Sequence, residues 1–222
     1  MRRNSSELLD SYRSDMLGAV KRTTDWNLNC IGSDLMEKFL AAEPGALSVL
    51  PKDRARAWSR WLPIPVEHRI GNCATMHYGA LMQLIGQEVP MLPVITVGDV
   101  CIDDKPRYQV TRNSLRRLLN KGRSRSVMPA HVWLTWPDMT VMDLTILAAL
   151  AVDRDEPLTT DREDALVVFG YDDQEQLGLR YTPWLVGEMF LHRIGALMPG
   201  AIELLDEGLR HWCAGGAAWT TM

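Results

Sequence analysis

A cysteine, a histidine and an aspartate stand in contexts suited to nucleophilic chemistry. Cys73 follows a glycine-containing turn, Arg69-Ile70-Gly71-Asn72, and opens a segment to Ile85 whose apolar residues recur on a helical period. At the first turn of a helix a cysteine meets free backbone N–H groups and the positive end of the helix dipole. Both favour thiolate over thiol, and the same N–H groups bind a developing oxyanion. His131 begins one short alternating run, His131 to Trp136, and Asp143 lies near the end of the next, Met139 to Leu144, around Pro137-Asp138. Side by side on a hairpin, they would supply a general base and the group that orients it. Register decides whether they meet. A three-residue loop, Trp136 to Asp138, pairs His131 with Asp143 and Trp133 with Val141 and puts Asp138 in the left-handed position, whereas a two- or four-residue loop turns His131 to the opposite face. An odd-numbered loop or a bulge is the expectation. Singly, the three also read as a buried structural cysteine, an ordinary strand histidine and a strand-end turn former.

The elements that must position them form an α+β pattern. Residues 1–65 read as a helical flank: Ser5 and Ser6 are cap candidates before Leu8, Leu9, Tyr12, Met16 and Val20, a second helix starts near Asp34, and a third follows Pro51. Residues 66–145 read as the core. The helix from Cys73 is apolar nearly all round and therefore buried. Met91 to Cys101 is β-rich with an interruption at Gly98-Asp99, and Asn113 caps a short helix ending at Gly122. In 146–222 the expectation is an Ala/Leu-rich segment, a strand Leu166 to Phe169, a turn at Asp172-Asp173, a helix opened by Thr182-Pro183 and a last helix through Trp212. No repeat or low-complexity linker divides the chain, so 1–222 reads as one domain.

The order Gly71-Asn72-Cys73, His131-Val132-Trp133, Asp143-Leu144-Thr145 resembles the transglutaminase-like cysteine enzymes, a branch of the papain-like architecture. The resemblance covers roughly residues 66–145. It implies an antiparallel sheet packed on the cysteine helix and a catalytic triad in which Cys73 attacks an acyl carbon, His131 shuttles the proton and Asp143 orients the imidazole. The implied reaction is hydrolysis of a peptide or side-chain amide through a thioester, or passage of the acyl group to an amine, neither needing a cofactor. The pattern also departs from the family. His131 follows Cys73 by 58 positions, making 102–129 an insertion, and Leu144 stands where proline is frequent. No glutamine precedes Cys73 to complete an oxyanion site; Asn72, His77 and Trp133 are the nearby oxyanion or supporting candidates, with Trp58 and Trp61 further off. The arginine-glycine-glycine run of arylamine acetyltransferases is replaced by Arg69-Ile70-Gly71.

Two readings from other classes stand beside the enzyme. Cys73 and His77, one helical turn apart, would join His131 and an acid in a mixed zinc site, although His77 competes with an apolar face for the interior. Alternatively the fold serves as a non-catalytic module that binds a protein partner. Composition narrows the field. The chain has 222 residues, 46% hydrophobic and 23% charged, enough for a full core without disulfides. Its net charge of -4 disfavours a nucleic-acid-binding surface, yet residues 105–125 hold eight Lys or Arg and no acid, while 153–175 hold nine acids against two Arg. Within the basic segment Arg112, Arg116 and Arg117 are candidate contacts for an anionic substrate or partner; a solvated helix face is the plain alternative. Cys30, Cys73, Cys101 and Cys213 form no C-x-x-C pair, and no secretory leader or apolar span is evident. A reducing, cytoplasmic setting with a protein or peptide substrate, and no membrane, is the expectation.

Overall fold

Helix α1 (Ser5–Asp25) buries Tyr12, Met16, Ala19 and Thr23, a stripe spaced four, three and four residues apart. It is the first element of the computed structural model, which describes residues 5–28, 70–85, 92–122, 128–156 and 168–197. The expected helices near Asp34 and after Pro51, the terminal helix through Trp212, Trp58, Trp61, Cys30 and Cys213 lie outside the described residues. Helix α2 (Cys73–Ile85) has the expected limits and is buried on nearly every side. Gly71, at φ 73°, makes the left-handed turn before it, and the Asn72 carbonyl accepts the first bond from Met76 N–H.

The strands follow: β1 (Val94–Ile102), β2 (Lys105–Pro106), β3 (His131–Thr135), β4 (Val141–Asp143), β5 (Val168–Phe169) and β6 (Leu179–Val186). All pairings are antiparallel, in the order β6-β1-β3-β4-β5, with β2 continuing the β3 side of β1. Period two assigns the two faces. Ile95, Val97, Val132, Leu134 and Met142 pack with α2, whereas Val94, Val100, Trp133, Val141 and Tyr181 pack with Tyr12, Met16 and Ala19 of α1. The sheet is thus held between α2 and α1. Between the strands lie α3 (Arg112–Lys121), α4 (Ile146–Asp153) and α5 (Gly170–Gln176), and α6 (Met189–Arg193) follows β6.

Several local expectations are corrected. Thr182-Pro183 opens no helix: both lie inside β6, which pairs with β1 from Thr96↔Val186 to Ile102↔Leu179. Pro183 is tolerated because β6 is an edge strand and Pro183 sits opposite Gly98 at a register shift. The Arg22 guanidinium of α1 donates to the Pro183 and Trp184 carbonyls, both at 3.0 Å, closing that edge. The β-run is not interrupted at Gly98-Asp99; β1 passes straight through. A Cβ on Gly98 would lie 2.1 Å from the Thr182 carbonyl oxygen and 2.7 Å from the Trp133 ring, so glycine serves close strand approach there. The cap of α3 is Thr111 rather than Asn113: its hydroxyl accepts Ser114 N–H at 3.1 Å, and Ser114 Oγ accepts Thr111 N–H at 3.0 Å. Asp172-Asp173 lie within α5 instead of forming a turn. Among the described residues no helix is long and apolar enough to cross a membrane.

Candidate active site

The β3–β4 loop is odd-numbered, as expected, but its register differs by two residues. Leu134 pairs with Met142 and Thr135 with Val141, so Pro137, Asp138 and Met139 form the loop, and Met139, not Asp138, takes the left-handed conformation (φ 67°). A shift of two preserves the face. Asp143 therefore falls across from Trp133 and diagonal to His131, still within reach of it. His131 Nε2 donates to Asp143 Oδ2 at 2.6 Å, and both side chains are buried.

Asp143 is fixed from all sides. Tyr181 O–H donates to its Oδ2 at 2.9 Å. Its Oδ1 accepts the backbone N–H groups of Thr145 and Ile146 and the Thr145 hydroxyl, at 2.9 to 3.1 Å, capping the start of α4. Burial pushes this carboxyl up, but the His131 charge and hydrogen bond, His77 and the Thr145 N–H outweigh it and leave the group well below the usual carboxylate range. Burial likewise pushes His131 down, and the Asp143 carboxylate outweighs it, holding His131 well above its ordinary value. The pair is an imidazolium and a carboxylate at neutral pH.

With Nε2 committed to Asp143, Nδ1 is the ring nitrogen left for other groups. Tyr108 stacks on the His131 ring at 5.3 Å between centroids, and its hydroxyl lies 3.2 Å from Nδ1. The half-buried Cys73 side chain is close enough to favour the charged imidazole. His77, fully buried, reaches the Cys73 carbonyl with Nδ1 at 2.8 Å, while its Nε2 accepts the Leu144 N–H at 2.9 Å. Burial first, opposed by Asp143, lowers it to about 4, so it is neutral.

The other candidates fall in different places. Asn72 is exposed just before α2. Trp133 flanks His131, with ring centroids 6.2 Å apart, but its indole N–H is committed to the Tyr12 hydroxyl at 2.8 Å. Arg112, Arg116 and Arg117 are exposed on α3, Arg116 with its guanidinium 5.3 Å from the Trp26 ring. The basic and acidic segments do touch, through an ion pair between Arg107 and Asp153.

Three supporting residues escaped the sequence reading. Asp99, buried in β1, accepts the N–H groups of Val100, Tyr108 and Val110 and thereby shapes the loop that carries Tyr108. Tyr12 bonds Thr135 and Trp133, and Tyr181 bonds Asp143. Only Asp99 carried a sequence signal, an acid inside an apolar run, which marks a buried carboxylate needing donors. Compared with known proteins, the chain matches no family model, no curated protein and no solved structure.

Proposed function

We propose that the protein is a cysteine-dependent acyl-transfer enzyme with a papain-like, transglutaminase-like core, and that it hydrolyses a peptide or side-chain amide through a thioester on Cys73. One observation carries the reading: a buried imidazole is held on Nε2 by a carboxylate that takes five donors, and the half-buried cysteine that opens a buried helix is near enough to favour the charged form of that ring. A purely structural histidine–aspartate pair has no need of a half-exposed thiol beside it.

The chemistry follows from the arrangement. In the reacting form the imidazolium that Asp143 stabilises already holds the proton of Cys73, so the sulfur attacks the acyl carbon as the thiolate partner of that ring. The carbonyl electron pair moves to oxygen, next to the Cys73 backbone N–H, which at the first position of α2 has no partner within the helix. As the C–N bond breaks, His131 protonates the departing amine. Water then gives a proton to His131 and attacks the thioester, releasing the acid and returning the sulfur as thiolate beside the imidazolium; an amine in place of water gives transfer. A peptide or protein is the substrate this reaction takes, and the exposed Arg112, Arg116 and Arg117 suit an acidic stretch of it.

The test is iodoacetamide labelling with site mapping on the wild type, Cys73→Ala and His131→Ala. Preferential Cys73 alkylation that falls at least tenfold in His131→Ala is the expected result. Alkylation of Cys73 no faster than of Cys101, unchanged by His131→Ala, would reject the enzyme and leave a binding module.

A further inference from the structure

The oxyanion site of the proposed reaction needs a second donor, and the loop before α3 holds one. Tyr108 is no incidental surface aromatic. The Asp99 carboxylate takes the Tyr108 and Val110 N–H groups at 2.9 and 3.0 Å, Gln109 between them is turned to a positive φ of 51°, and the Arg107 guanidinium lies 5.7 Å from the Tyr108 ring centroid. This construction presses one phenol against the imidazole of His131.

The hydrogen of that phenol is what matters. A charged imidazole carries a hydrogen on each nitrogen: Nε2–H goes to Asp143, and Nδ1–H faces the Tyr108 oxygen at 3.2 Å. The phenol oxygen is then an acceptor, so its own O–H points away from the ring. Among the described residues no other group takes it. On the reading of Cys73 as nucleophile its sulfur shares a proton with Nδ1, the ring nitrogen that Asp143 leaves over, and the Tyr108 hydroxyl lies 3.2 Å from that same atom. An unspent donor beside the attacking sulfur stands where charge develops on an acyl oxygen.

We propose that the Tyr108 hydroxyl donates a hydrogen bond to the carbonyl oxygen of the acyl group attacked by Cys73, completing with the Cys73 backbone N–H a two-donor oxyanion site. The inference rests on the reading of Cys73 as nucleophile. In the acylation step the C–S bond forms, the carbonyl pair moves to oxygen under the two donors, and collapse expels the leaving group. Tyr108 keeps its proton throughout.

Tyr108→Phe retains the ring and removes only the O–H. Two probes separate its roles: p-nitrophenyl acetate acylates sulfur through an oxyanion and expels p-nitrophenolate, whereas iodoacetamide reacts at a saturated carbon and builds no charge on a carbonyl oxygen. The expected result for Tyr108→Phe is a fall on the order of 10²-fold in Cys73-dependent p-nitrophenyl acetate acylation, with Cys73 alkylation by iodoacetamide within about threefold of wild type. An equal fall in both would make Tyr108 a residue that only poises His131, a rise in both would make it a latch, and no change in either would remove it from the site; each overturns the proposal. The alkylation rate also reports that the variant's site is intact. Failure of the underlying reading is distinct, because it appears in the wild type as acylation that Cys73→Ala leaves unchanged.

Discussion

His77 accepts the backbone N–H of Leu144 on Nε2 at 2.9 Å. A backbone N–H can only donate, so Nε2 is bare, the ring proton sits on Nδ1, and that proton goes to the Cys73 carbonyl at 2.8 Å. One neutral imidazole thereby ties the residue that opens α2 to the residue that follows Asp143. Two parts of the site distant in sequence share a brace that works in a single protonation state.

That brace makes stability depend on acidity. An unfolded histidine titrates near ~6.5 and His77 in the fold near about 4. Between those values the unfolded chain binds the extra proton, so stability falls as pH drops from about 6.5 to about 4 and the loss is complete below the folded value, by up to about 3 kcal/mol. Urea melts of wild type and His77→Gln across that window should give the shallower slope in the variant. Equal slopes would remove His77 as the sensor. His77→Ala, which loses both bonds and leaves a cavity, should cost about 2–4 kcal/mol at neutral pH.

Asp143 and His131 shift in opposite directions, with opposite signs for pH. The raised His131 contributes stability that is present below ~6.5 and is lost as pH rises through its higher folded value; the lowered Asp143 contributes stability present above ~4 and lost as pH falls through its folded value. Replacing Asp143 by Asn removes the charge that outweighs burial. The midpoint of the His131 ring titration, followed by NMR, should move down, and Cys73-dependent p-nitrophenyl acetate hydrolysis should drop by about 10²- to 10⁴-fold. A midpoint that stays put would mean the carboxylate does not hold the proton.

Gly98 and Gly79 should respond to alanine with opposite signs. At Gly98 the added carbon meets a backbone oxygen of β6 at 2.1 Å, which cannot yield without parting the strands. A loss of at least about 3 kcal/mol, or failure to fold, is expected. Gly79 lies in the interior of α2 with nothing within 4 Å of its would-be Cβ. There alanine should stabilise by roughly 0.5–1 kcal/mol. Thermal melts of the two variants check both signs.

Asp99→Ala tests the loop that presents Tyr108. Removing the carboxylate leaves the N–H groups of Val100, Tyr108 and Val110 without their acceptor, at about 1–3 kcal/mol for each one that stays buried and unpaired. Hydrogen exchange should speed up at Tyr108 and Val110 while Met142, in the β4 ladder, keeps its protection. Uniform loss of protection at all three amides would show that Asp99 supports the whole sheet rather than the loop.

Local patterning reads well where one element decides its own fate. The limits of α2 follow from an apolar helical run after Gly71-Asn72, and the shared face of His131 and Asp143 follows from period two, which survives a register shift of two. The register itself is not local. Met139 takes the left-handed position although apolar, and its carbonyl is held by Tyr171 O–H, a contact across 32 residues that no dipeptide rule anticipates. Pro183 hid β6 because Thr-Pro is a strong helix-start signal, whereas the alternating burial of Leu179 to Leu185 answers to pairing with β1, far back in the chain. The place of Tyr108 beside His131 is hidden for the same reason: it comes from Asp99 and His131, nine positions before it and 23 after it.

Helix α1 fills the side of the sheet opposite α2, and the Tyr12 hydroxyl anchors Thr135 at 2.6 Å and Trp133 at 2.8 Å, in the row that His131 heads. A fragment begun at residue 66 to isolate the Cys73–Asp143 segment would therefore expose Val94, Trp133, Val141 and Tyr181 to water and strand two buried polar partners. Expression trimming, limited proteolysis or an affinity tag placed between α1 and α2 bears on whether the amino-terminal piece stays docked, not on a dispensable appendage. The smallest unit that preserves the surroundings of His131 includes residues 5–28.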